Sequence, residues 1–220
     1  MCNPVNAYQE TVKKFVTLDP VDIAARSGAI FDEHNRTFEI AYFGRNYIVD
    51  LEGRVWRADA SEKDVPFNDR TLIVQYLSEA SGLPPRGAWM SFLELPEGIH
   101  HFAPFQTDAT TPLAETFGSA PAQFGEAAVD LGGRPLSLGD HSFYIPALPK
   151  IPLAVVLWEG DDEFAAKSNI LFDSVAPTHL TTAALWVLGV ELAHKMISHL
   201  NHKAGREISI TWLEGVKKED

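Results

Sequence analysis

Residues 29–57 read AIFDEHNRTFEIAYFGRNYIVDLEGRVWR, and this stretch decides the fold. Apolar and polar residues alternate along it, so Phe38, Ile40 and Tyr42 fall on one side of a strand, as do Tyr47, Val49 and Leu51. Turn signals at His34–Asn35, Gly44–Arg45 and Glu52–Gly53 cut it into short pieces. The spacing predicts an antiparallel meander of four strands.

On the N-terminal side, residues 6–26 have helical character with a break at Asp19–Pro20, since proline suits the first turn of a new helix. Ser27–Gly28 is the expected stop. On the C-terminal side, 58–68 is polar loop, and Asn68 or Asp69 is the expected cap of a helix running through Leu72, Ile73, Tyr76 and Leu77 to Gly82. GAWMSFLEL (87–95) has strand composition and Pro96–Glu97–Gly98 is a turn. A helix is expected from Thr111–Pro112 through Phe117. HSFYIPALPKIPLAVVLWEG (141–160) contains two strands, with an edge or bend at Pro146. PLAVVLW is apolar at every position, which predicts a central strand covered on both faces. The last long helix is expected from about Thr178 to His202, with Leu180, Ala184, Leu188, Leu192, Met196 and Leu200 as its apolar stripe and Lys195 and Ser198 off it. EISITWLEG (207–215) has the pattern of a final strand. The element order argues one α+β domain over 1–220, with a mostly antiparallel sheet packed by several helices including a long C-terminal one.

Bulk properties narrow the function. The chain has 220 residues and a net charge of −12, which disfavours phosphate backbones and anionic membranes as partners. No stretch is long and apolar enough to span a bilayer, and the N-terminus lacks a secretory signal, so a cytoplasmic location is expected. Cys2, the sole cysteine, excludes an internal disulfide and a cysteine-ligated metal centre held by this chain alone. Nucleophile elbows, phosphate-binding glycine loops and zinc-protease helices are absent.

Two places invite a chemical reading. Asp161, Asp162 and Glu163 follow the apolar strand abruptly, and with Asp173 they form a candidate oxygen-ligand site for magnesium or calcium. Such an ion would activate water in a hydrolase or transferase. The plainer account is a solvated turn. His100 and His101, flanked by a turn and by FAPF, are candidate axial ligands to a tetrapyrrole, against the plainer account of a strand with one ring inward and one outward. Glu191 and His194 share a helix face, but no second such pair accompanies them, so they are assigned to the polar side of the last helix.

The blocks LDPVDIAARSGAIFD (18–32), YFGRNYIVD (42–50), GAWMSFLELPEGIHHFAPF (87–105) and LPKIPLAVVLWEGDDEFAAKSNILFDSVAPTHL (148–180) resemble the domain-of-unknown-function family 3786. That resemblance implies a setting in anaerobic redox, one-carbon or corrinoid-linked metabolism, where some members are joined to iron–sulfur domains. This chain lacks the cysteines for one and resembles the stand-alone form. The expectation is a binding or accessory protein for a metalloprotein or a small-molecule, tetrapyrrole-type ligand. The resemblance implies no catalytic residues and fixes no cofactor.

Overall fold

The computed structural model describes residues 4–59 and 65–203. Helices α1 (Pro4–Phe15) and α2 (Pro20–Ser27) break where proline dictates, and the Asp19 carboxylate accepts the Asp22 N–H at 3.0 Å as the cap of α2. The meander follows as β1 (Ile30–Asp32), β2 (Thr37–Tyr42), β3 (Arg45–Asp50) and β4 (Val55–Arg57), antiparallel and in chain order. Phe38, Ile40, Tyr42, Tyr47 and Val49 are buried, while Glu39 and Ala41 are exposed, as the alternation requires.

The β2–β3 turn holds the key backbone constraint. Phe43 and Gly44 both adopt positive φ, 45° and 71°, the two-residue hairpin conformation whose twist suits the strands it joins. A Cβ on Gly44 would also lie 2.8 Å from the Leu131 carbonyl carbon, so only glycine fits. The turn is tied to the second sheet by the Phe43 N–H, which donates to the Ala147 carbonyl at 3.1 Å.

After α3 (Phe67–Glu79) comes the second sheet, built from β5 (Trp89–Ser91), β6 (Arg134–Pro135), β7 (His141–Leu148), β8 (Ile151–Trp158) and β9 (Lys167–Asp173) in the order β5-β9-β8-β7-β6, all antiparallel. β8 is central and buried from Ile151 to Leu157, and the β7–β8 register slips around Pro146, the expected bend. Helices α4 (Phe102–Phe105), α5 (Thr111–Phe117) and α6 (Pro121–Asp130) lie between β5 and β6 in sequence, and α7 (Thr182–Lys203) closes the described chain. Phe124 of α6 meets Phe143 of β7 edge to face, and Phe92, Phe105 and Phe172 cluster beside Gly189 of α7. A single apolar cluster runs from Phe15 through both sheets to Met196. Among the described residues no helix is long and apolar enough to cross a membrane.

Several local expectations give way. GAWMSFLEL forms a strand only at Trp89–Ser91, because the Ser91–Glu94 capping box turns the chain into a 3-10 helix. His100 and His101 end a second 3-10 turn, Gly98–His101, that leads into α4; both are exposed and neither lies on a strand. α3 begins one residue before Asn68, with Pro66 at the cap position, so Asn68 and Asp69 lie inside its first turn. Helix α6 and strand β9 have no counterpart in the sequence reading, and the strand expected at 207–215 lies outside the described residues.

Candidate functional site

The open end of the meander, the first turn of α3, the end of α6 and the C-terminal half of α7 meet around a cleft of about 440 Å³. β2 supplies Tyr42, its turn Phe43, β3 Arg45 and Tyr47, and β4 Arg57. α3 supplies Asp69, α6 Asp130, and α7 Lys195, Ser198 and His199. The α7 residues follow from helical spacing: 191, 195, 198 and 199 form one seam of an otherwise apolar helix.

Lys195 is the centre of the arrangement. Its Nζ donates to Asp69 Oδ2 at 2.7 Å and lies 5.3 Å from the Tyr42 ring centroid and 5.7 Å from that of Phe43. Its side chain keeps 22% of its exposure, whereas Asp69 is 2% exposed, so the carboxylate is anchored and the ammonium borders the cleft. Asp69 Oδ1 accepts the Tyr42 hydroxyl at 2.8 Å. Behind Lys195, Glu191 is buried; its Oε1 accepts the Asn68 amide at 2.7 Å and its Oε2 stands 4.0 Å from Nζ. Burial pushes the Glu191 carboxyl above its ordinary range, and the charge of Asp69 adds to this. The Tyr42 hydroxyl is held well above its usual value by burial, and that of Tyr47 is pushed up to about 12 by the same cause. Both tyrosines are therefore neutral hydrogen-bonding groups near neutral pH.

The rim is charged. Arg45 Nη2 pairs with Asp130 Oδ2 at 3.0 Å, His199 Nδ1 lies 3.4 Å from the same oxygen, and Arg57 pairs with Asp59. In a chain of net charge −12, the lining thus gathers Lys195, Arg45 and Arg57 against Asp69 and Asp130. Lys195 gives one of its N–H groups to Asp69, and the guanidinium groups have forked donors. Such a set suits a small anion, because charge-assisted hydrogen bonds strengthen where water is thinned out. A wider depression of about 700 Å³ lies on the outer face of the meander. Its acids are already engaged, Asp32 by the His34 and Asn35 N–H groups and Glu39 by Asn46.

The residues singled out in the sequence lie elsewhere. Asp161, Asp162 and Glu163 sit in an exposed turn between β8 and β9, where Asp161 Oδ1 accepts the Glu163 and Phe164 N–H groups at 2.9 and 2.7 Å. Those bonds hold the Asp161 carboxyl below its ordinary value. Asp173 closes the far end of β9, about 20 Å along the strand. It is fully buried and takes the N–H groups of Arg86, Gly87 and Val175. The structure therefore does not bring Asp173 to the acidic turn. Among the described residues no three His, Cys, Asp or Glu side chains are grouped to hold a metal ion. His100 and His101 are exposed, away from the cleft lining. Glu191, assigned to the polar face, is buried against α3.

A family model described as a domain of unknown function, DUF3786, matches residues 19–195, which include every cleft residue up to Lys195. No curated protein and no solved structure matches the chain.

Proposed function

This chain belongs to the domain-of-unknown-function family 3786, and from that premise we propose that it is a binding or accessory protein whose Lys195 cleft holds a small anionic ligand. The observation that carries this reading is an ammonium fixed by a buried carboxylate and bordering a cleft whose rim adds two guanidinium groups, in a strongly acidic protein. Apolar residues of similar volume often stabilise a core as well as a lysine drawn against two buried acids does. The cleft volume lies within the range of small-molecule sites. In the anaerobic redox or one-carbon setting that the resemblance implies, the ligand class is a carboxylate- or phosphate-bearing metabolite. The Tyr47 hydroxyl, kept neutral, adds a hydrogen bond without adding repulsion, while that of Tyr42 is given to Asp69.

Calorimetric titration with sulfate and with succinate tests the proposal. Saturable binding is expected in the parent, weakened by roughly tenfold or more in Lys195→Met, the value of one charge-assisted hydrogen bond. Absence of binding in the parent, or equal affinity in the variant, overturns it.

A further inference from the structure

The cleft has more buried negative charge than its lysine can balance. Asp69 and Glu191 are both buried, and Lys195 stands between them, 2.7 Å from one and 4.0 Å from the other. Among the described residues, the remaining groups that face Glu191 are Asn68 and Asp69 of α3, Lys195 of its own helix, and Tyr42 of β2, whose hydroxyl is spent on Asp69. None supplies a second cation. Arg45, Arg57 and His199 line the outer cleft and have acidic partners of their own in Asp130 and Asp59. A ligand anion drawn to Lys195 would add a third negative charge around a single half-buried ammonium.

We propose that an anion entering this cleft brings one proton with it, taken up by Glu191, so that the ligand is bound as the equivalent of its conjugate acid. The inference rests on the reading of the cleft as an anion site. Glu191, rather than Asp69, is the acceptor for geometric reasons. Asp69 has both oxygens engaged at short range, by Tyr42 and by Lys195, so neither can take a proton without losing a bond. Glu191 has one bond from a neutral amide, and its second oxygen meets only the more distant ammonium. That oxygen can carry the proton with no existing bond lost. Burial already disfavours the charged form of Glu191, so the free protein is poised for the uptake. The consequence is an affinity for anions that rises as pH falls.

The full chain is titrated with sulfate, whose charge is fixed across the working range, in Tris and in bis-Tris at the same near-neutral pH. The two buffers differ in ionisation enthalpy, so proton uptake appears as a difference in observed heat. The parent is expected to take up about one proton per sulfate and to lose affinity by up to about tenfold per pH unit of increase. Glu191→Gln, in which the Asn68 bond has an oxygen to keep, is expected to bind sulfate with no buffer dependence, and His199→Asn to keep it. Binding with equal heats in both buffers overturns the proton coupling and leaves the anion site standing. A coupling lost in His199→Asn and kept in Glu191→Gln overturns the assignment. No sulfate binding by the parent overturns the anion site and this inference together. Should Glu191→Gln not fold, the pH dependence of sulfate affinity in His199→Asn decides: a flat profile overturns the coupling to Glu191, and a persisting slope upholds it.

Discussion

Replacing Lys195 by methionine removes one charge and keeps most of the side-chain volume, so its effect measures what the ammonium does for the two acids behind it. Asp69 is 2% exposed and would retain only the Tyr42 hydroxyl, while Glu191 would retain only the Asn68 amide. Removing one partner of a buried pair destabilises by about 3–5 kcal/mol, and because Lys195 is 22% exposed the lower end applies, about 3 kcal/mol. For a domain of this size that corresponds to a fall in Tm of about 6–12 °C. Urea unfolding of parent and variant at about pH 7.5 gives the difference directly. It should narrow as pH is lowered, since the orphaned Glu191 carboxylate, already raised by burial, can then protonate and cease to be a buried charge. A variant within about 0.5 kcal/mol of the parent at the higher pH would refute the argument, because Asp69 and Glu191 would then be balanced by something other than Lys195.

Gly44→Ala should destabilise by about 2 kcal/mol or more and weaken sulfate binding, since the residue needs positive φ and its Cβ would meet the Leu131 backbone at 2.8 Å; thermal unfolding and calorimetry read the two effects. Gly189→Ala should cost about 1–3 kcal/mol and alter the near-ultraviolet circular dichroism, because its Cβ would lie 2.6 Å from Phe105, which stacks on Phe92 at 4.3 Å. His179 is buried and neutral, accepting the Ser81 N–H at Nδ1 and reaching the Leu83 carbonyl through Nε2, and burial holds its pKa below the ordinary 6.5. Its contribution is complete above that value and is lost as pH falls toward the folded one, with a slope of at most about 1.4 kcal/mol per pH unit. Glu191, raised by burial, works in the opposite sense, its contribution present at low pH and lost as pH rises. Urea unfolding between about pH 7.5 and 5.5 should therefore show a shallower slope in His179→Gln than in the parent. An unchanged slope would contradict the role given to this ring.

What the sequence made legible is what local rules control. The Asp19–Pro20 break, the four-strand meander and the central β8 were each written in neighbouring residues. Where two local rules competed, the outcome needed the structure: strand composition at 87–95 yielded to the Ser91–Glu94 capping box, and the FAPF segment after His101 is helical. The cleft was nearly invisible because its bonds span long separations. Asp69 at a helix start reads as a cap, yet its partners are Tyr42 and Lys195, 27 and 126 residues away. One signal was present, namely Lys195 and Ser198 lying off the apolar stripe, in line with Glu191 and His199. The conspicuous acids at 161–163 drew notice by clustering along the chain, whereas Asp161 is occupied in closing its own turn.

The central claim, that the Lys195 cleft receives a small anion, is tested most directly by crystals of the parent soaked in selenate, located by the anomalous signal of its selenium. The account predicts a peak in the cleft with selenate oxygens within hydrogen-bonding distance, about 3 Å, of Lys195 Nζ, lost in Lys195→Met. Selenate bound elsewhere with this cleft vacant, or a peak that persists unchanged in the variant, would contradict it.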